Sequence, residues 1–434
     1  MKKILSCILA LSMTVGLCAC GQLEKLENIE LPPLPTQTAA PVPVQTPEPS
    51  AEPSFSIVRQ ESGNQIIINT VTTSLEEYDP AEGKELILSF SYETPVVYIE
   101  GKDDVSKKIN DAIALMDETH YTGNDHGMGV GTGGFNMMLE QAQDNYGYVI
   151  NSGVQGLSLE FTASRTADIS RADSSVISIV YDDYYYTGGA HGIYFSRGYN
   201  FDAQTGEKIT LDQLSKNSEK FKSLLVDAMV SMAKSDENIS GRIDVSSTVN
   251  YSAAETFSKL LRDGSWYFTN EGLRVFSDVY ELGTYAQGEV VFDIPYEKLA
   301  GEINEKYLPE VRSGKAELTI AYLSDVKDGS FEIIDRVVVH EEGQELCIGI
   351  NGTAYDVNLV SVDYVDRIFE TQQHWYANFV KNSALQILCT VPEGMPNLML
   401  SYFDSDGNNH RMLISQSGEN GNLLLVDDSI QAVG

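Results

Sequence analysis

The densest group of residues able to do chemistry is Gly188-Gly189-Ala190-His191-Gly192, entered through Asp182, Asp183, Tyr184, Tyr185 and Tyr186. In one reading the small residues bring backbone amides close to a glycan or peptide. The tyrosines then offer stacking faces, and His191 adds a titratable hydrogen-bonding ring. In the other reading the glycines permit a tight turn or bulge, and His191 is satisfied by a neighbouring carbonyl. Both leave Tyr184, Tyr185, Tyr186, Gly188, Gly189 and His191 as the candidate ligand-binding residues. A second group, His120, Asp125 and His126, combines imidazole and carboxylate, but no further ligands stand at firm spacing, so it reads as a solvated loop rather than a metal site.

Other chemistry is poorly provided for. The glycine run from Gly127 to Gly134 lacks the Lys-Ser/Thr end that a phosphate-cradling loop requires. Asp404-Ser405-Asp406-Gly407-Asn408 begins like a calcium loop, but Ser415 stands where its bidentate Glu belongs, so it reads as a hairpin turn. No Gly-x-Ser-x-Gly nucleophile turn occurs. The sequence therefore points to a binding protein rather than an enzyme, with no cofactor and no metal. Cys347 and Cys389 lie in apolar runs and have two equal readings, one disulfide outside the cell or two buried thiols.

The amino-terminal residues say where the protein works. Lys2 and Lys3 precede an apolar run, Ile4 to Gly16, that is shorter than the roughly 20 residues of a spanning helix. It reads as a cleavable signal peptide, residues 1–19. Leu17-Cys18-Ala19-Cys20 resembles the bacterial lipobox. That resemblance implies a diacylglycerol on Cys20 and localisation at the cell membrane, lipid-anchored on its extracytoplasmic face. The same Leu-x-Ala also suits ordinary secretion. Residues 20–56 follow as a linker, and Leu31 to Ser54 hold eight of the chain's fourteen prolines. Such a segment builds no core and stays extended, a stalk of roughly 100 Å at about 3.1 Å per residue.

The formal charge is −34, and removing the two signal lysines takes it to −36. Nucleic acid is excluded as a partner, since phosphate binding needs the opposite sign. The acidity either attracts a cationic partner or keeps an exported body soluble.

The elements that must position these residues form an α+β body. Glu85 to Ile99 reads as a strand broken at Pro95, and Asp103 or Asp104 caps a helix carrying Val105, Ile109, Ile113 and Met116. Phe135, Met138, Leu139 and Ala142 mark a second helix. Strands follow around Leu157 to Ala163, Val176 to Tyr186 and Tyr194 to Asp202. Ser218 opens a helix, Ser252-Ala-Ala-Glu255 is a capping box, and short strands lie at 266–269, 272–276 and 289–294. Beyond Ser313 short apolar runs recur, which suggests a sandwich-like β domain over 313–434.

Two stretches carry a family resemblance: YDDYYYTGGAHGIYFSRGYNFDAQTGEKITLDQL from Tyr181, and WYFTNEGLRVFSDVYELGTYAQGEVVFDIPYEKL from Trp266. Together they resemble the paired domains DUF4163, here 57–198, and DUF3298, here 199–312. The resemblance implies two successive α+β domains used for binding, as in the ectodomains of lysozyme-sensing anti-sigma factors and the non-catalytic part of some peptidoglycan deacetylases. The chain departs from both. It shows a lipoprotein signal where the first has a cytoplasmic domain and a spanning helix. Its carboxy-terminal part has only the scattered His340, His374 and His410, where the second has a metal-binding catalytic domain. The expected partners are the membrane, through Cys20, and a cationic wall-active protein such as lysozyme, or peptidoglycan. A glycan-modifying enzyme and a structural or adhesion component are the other classes.

Overall fold

A computed structural model describes residues 66–81, 83–123, 134–153, 160–243, 252–309, 316–338, 344–352, 360–365, 371–378, 383–389, 398–403, 409–417 and 421–427. All of them lie within the unit Ile57–Gly434. Cys20, the proline-rich linker, Asp125, His126, Leu157, Leu159, His340 and Asp404 to Asn408 lie outside them. No helix among the described residues is long and apolar enough to cross a membrane.

Strands β1 (Ile66–Tyr78) and β2 (Leu86–Ile99) pair antiparallel, Ile66 opposite Ile99. Two helices, α1 (Asp103–Thr122) and α2 (Phe135–Ser152), then cross over to β3 (Phe161–Ala172), which runs parallel to β2. A parallel pair requires such a crossover. Strands β4 (Val176–Tyr186) and β5 (Ile193–Asp202) complete this part as an antiparallel extension. The apolar stripe of α1 buries Ile109 and Ile113 against Ile66, Ile68, Val97, Ile99, Ile177, Ile179 and Tyr181. That of α2 buries Phe135, Met138 and Ala142 against Leu88, Phe90, Phe161 and Tyr185. Each such aliphatic or aromatic side chain contributes about 1.5–3 kcal/mol on burial.

Two local expectations are corrected. Strand β2 runs unbroken through Pro95, which sits opposite Thr70. The N–H of Val97 points away from β1 and is met by Asn110 Oδ1 at 2.8 Å, and that of Ile99 by Ser106 Oγ at 2.9 Å. Two residues back, Pro95 faces the same side, past the end of the β3 pairing, so its missing donor leaves the ladder intact. Helix α1 starts after Lys102, with Asp103 and Asp104 in its first turn and no side-chain cap. Their carboxylates complement the helix dipole instead.

A three-stranded antiparallel sheet, β6 (Trp266–Phe268), β7 (Gly272–Phe276) and β8 (Val291–Pro295), lies against the other face of β4 and β5. It carries α3 (Ser218–Ser235), α4 (Glu237–Ser240), α5 (Ala253–Ser258) and α6 (Tyr296–Leu299). The capping box at α5 is present, Glu255 N donating to Ser252 Oγ and Ser252 N to Glu255 Oε2. Gly198 N donates to the Gly264 carbonyl at 2.9 Å, and a Cβ at 198 would overlap the Trp266 carbonyl. Arg171, fully buried, ties the two parts together: it donates to Asp173, to the Tyr296 hydroxyl and to the Tyr307 carbonyl at 2.7–2.8 Å.

The carboxy-terminal region is β-rich, its strands divided between two sheets. β9 (Ala316–Tyr322), β10 (Glu332–Val338), β11 (Gln344–Gly352) and β14 (Ser383–Cys389) form one sheet, in the order β10-β14-β11-β9. β12 (Val360–Val365), β13 (Thr371–Asn378), β15 (Leu398–Phe403), β16 (Asn409–Gln416) and β17 (Leu423–Asp427) join the long sheet instead. There β13 pairs with β1, Asn378 opposite Ile66, giving ten strands in all. A bare β1 edge would be open to stray pairing, and β13 covers it. Cys347 is a buried free thiol. The register sets Cys389 opposite Gln344, three residues along β11 from Cys347. Strand spacing then separates the two Cα atoms by about 11 Å, beyond the ~7 Å limit of a disulfide. Of the two readings for this pair, the disulfide is the one the structure overturns.

Candidate functional site

Strand alternation divides the tyrosine run of β4. Odd positions face the helices. Tyr185 is buried there, its hydroxyl 3.0 Å from His120 Nδ1. Asp183 beside it accepts two bonds from Arg165, at 2.6 and 3.0 Å. His120, expected in a solvated loop, is 3% exposed near the end of α1. Burial, with the Arg165 charge, pushes its pKa down to about 2, so the ring is neutral. These groups are core, and Tyr185 leaves the candidate site. Among the described residues no group of three or more His, Cys, Asp or Glu could hold a metal ion.

Even positions face the β6–β8 side. Tyr184 stands opposite Tyr194 and Asp182 opposite Ser196. Gly188 and Gly189 turn the hairpin with φ of 89° and 100°, a region that favours glycine. The Tyr186 hydroxyl donates to the Gly189 carbonyl at 3.1 Å, and Gly192 leaves room for the Tyr184 ring, which a Cβ there would overlap.

His191, exposed at the tip, does not stand alone. Its ring stacks on Tyr285 with centroids 3.8 Å apart and planes at 17°. Tyr280 and Tyr194 flank Tyr285 at 5.7 and 5.9 Å. His191 Nδ1 lies 2.8 Å from the Gly192 carbonyl, so Nδ1 carries the proton and donates. Nε2 is left facing the Tyr280 hydroxyl at 3.5 Å. Tyr280 is 54% exposed and has φ +66°, the sole non-glycine with positive φ among the described residues. That conformation is strained for a bulky residue and marks sites under functional constraint. An ion-pair network holds it: Asp278 accepts from Arg197 at 2.6 Å and Arg262 at 3.0 Å, and Arg262 also grips Glu281 at 2.7 and 2.9 Å. The result is a shelf of rings at the hairpin tip, built by β4, β5 and the 278–288 segment. Burial raises the hydroxyl pKa of Tyr184, Tyr194 and Tyr285, so these phenols stay protonated donors at neutral pH.

Beneath the shelf lies a pair of carboxyls. Ser196 Oγ is 2.6 Å from Asp182 Oδ1 and 3.1 Å from Glu289 Oε2, and Ser196 N donates to Glu289 Oε1 at 3.1 Å. Burial pushes Glu289 up to about 7, with the Asp182 and Asp278 charges adding to it and the Ser196 bonds opposing. Asp182 is also raised, by burial first. Sequence reasoning reached Tyr184, Tyr186, Gly188, Gly189 and His191. It missed Tyr194, Tyr280, Tyr285, Ser196 and Glu289, although several of these lie in the quoted second stretch. No spacing rule joins positions about ninety residues apart.

Residues 208–297 match the family model described as protein of unknown function (DUF3298), so the chain contains that domain, within the 199–312 expected for it. Two solved structures are similar in outline. A member of the DUF3298 family from Bacteroides fragilis NCTC 9343 has 13% identity and a TM-score of 0.43, covering 57% of this chain and 96% of that one. A DUF3298 family protein from Pseudomonas aeruginosa PAO1 has 14% identity and a TM-score of 0.35, covering 55% and 96%. No curated protein matches.

Proposed function

We propose that this chain is a lipid-anchored extracytoplasmic binding protein, held to the membrane by Cys20. In it a DUF4163-like part and the DUF3298 domain together present a recognition surface to a cationic wall-active protein such as lysozyme. The observation that supports this is the partly exposed shelf of His191, Tyr280 and Tyr285 on a chain of net charge −34. Ring faces attract the guanidinium and ammonium groups of such a partner, by about 0.5–1 kcal/mol when exposed and about 2 when desolvated. The acidic body speeds its approach. The same rings could stack on sugar faces, which makes peptidoglycan the second ligand to try.

Calorimetric titration of the chain from Gly21 with lysozyme, at low and at near-physiological salt, tests the reading. Binding that weakens as salt rises supports it. Heat of binding absent at both salts removes the cationic partner and moves the search to muropeptides and glycan strands.

A further inference from the structure

The carboxyl pair under the shelf has a hydrogen-counting problem that only an extra proton solves. Ser196 Oγ has one hydrogen, and two carboxyl oxygens lie within bonding distance of it, Asp182 Oδ1 at 2.6 Å and Glu289 Oε2 at 3.1 Å. A hydroxyl donates once, and ionised carboxylates only accept. Both contacts are hydrogen bonds only when one of the two carboxyls is the acid and donates to Ser196 Oγ. Burial raises both, and Glu289, pushed up to about 7, is the one assigned the proton. Among the described residues neither Asp182 nor Glu289 has a salt-bridge partner.

The groups facing the pair add negative charge more than they remove it. From β3 and β4, Asp168 and Asp183 act on Asp182. From the 278–288 segment, Asp278 acts on Glu289, although Arg197 and Arg262 already grip it. From β6, Tyr267 lies near Asp182, its own hydroxyl accepting from Arg274, which pairs with Asp293. Tyr194 packs close to Glu289, and Arg242 donates to the Glu289 carbonyl oxygen at 3.3 Å, not to its side chain. Ionising Glu289 therefore sets two buried carboxylates against one hydroxyl, a repulsive arrangement.

Position gives this consequence. Glu289 ends the segment that carries Tyr285, and its side chain ties that segment to β5 through Ser196, beside a backbone bond from Glu289 to the Tyr194 hydroxyl. We propose that Glu289 is a proton gate for the aromatic shelf: as the neutral acid it closes the 284–289 segment on β5 and keeps Tyr285 stacked on His191, and as the carboxylate it releases them. The gate regulates the surface assigned to ligand binding above, and its importance for binding rests on that assignment. Binding would then be favoured on the acidic side of neutrality.

Hydrogen exchange tests the gate without any ligand, so its failure is separate from failure of the binding assignment. Exchange of the peptide spanning 282–290 is followed in the intact chain between about pH 6 and 8 and corrected for intrinsic rates. If closure needs the proton and the acid titrates near 7, protection of this peptide falls about tenfold across that range. Glu289→Gln, an uncharged isostere that still donates to Ser196, holds protection level. His191→Phe keeps a ring on Tyr285 but carries no titrating proton, and its profile should follow the wild type. Level protection in the wild type, or an equal fall in Glu289→Gln, would overturn the gate. A profile flattened by His191→Phe alone would assign the proton to the histidine and do the same.

Discussion

Arg171 and Glu289 are both ionisable groups under the β6–β8 side, and their surroundings treat them oppositely. Arg171 has its charge answered by Asp173, whose carboxyl burial alone would raise but which Arg171 holds below its ordinary range. Arg171→Met leaves Asp173 buried beside no cation, and urea unfolding should show a loss of about 3–5 kcal/mol. Glu289 has no such answer, and its pKa rises from 4.5 to about 7. The folded state then holds a proton that the unfolded state gives up, so the stability Glu289 contributes is full below pH 4.5 and lost as pH rises through 7. His120 works the other way, since its pKa falls from 6.5 to about 2 and its contribution is lost as pH drops below 6.5. The two slopes oppose each other between 4.5 and 6.5. The difference in stability between wild type and Glu289→Gln isolates the first: it should move against the wild type from pH 4.5 to 7 and then stay constant. A difference independent of pH would mean that folding leaves the Glu289 pKa where the unfolded chain has it.

At the scale of elements, period-2 and period-3.6 patterning carried most of the legible structure. Val176 to Tyr186 reads as a strand and is one, and the Ile109–Ile113 and Phe135–Met138–Ala142 stripes meet the sheet as drawn. The alternation that revealed β4 also decides what its tyrosines do, sending Tyr185 to the core and Tyr184 and Tyr186 to the other face. Pro95 misled because a strand tolerates proline wherever its N–H has no ladder partner, and which side of β2 lacks one is a tertiary fact. Cys347 and Cys389 stayed open between two readings because apolar runs show burial and not register. Close approach was hidden as well. Gly198 lies where β6 crosses β5, and Gly198→Ala should cost about 1–3 kcal/mol in thermal or denaturant unfolding, as overpacking does. A neutral alanine there would mean that the two layers have room to separate.

Over the whole molecule, the proposed division of labour is between a lipid on Cys20, a proline-rich linker and an acidic folded body. The proposed anchor predicts that Cys20→Ser abolishes incorporation of labelled fatty acid and moves the protein from the membrane fraction to the medium. Retention in the membrane without label would point to another attachment. The aromatic shelf needed the entire fold to exist. His191 and Tyr285 are separated by ninety-three intervening residues and stack only because the DUF3298 domain lies across the even face of β4 and β5.

That juxtaposition is what the binding proposal depends on, and one comparison reaches it most directly. The affinity of wild type and Tyr285→Ala for lysozyme would be measured by calorimetry at near-physiological salt, with unfolding curves confirming that both are folded. A desolvated ring contact of about 2 kcal/mol predicts at least tenfold weaker binding for the variant. Equal affinities would place the partner elsewhere on the acidic surface and contradict the assignment of the shelf as the recognition site.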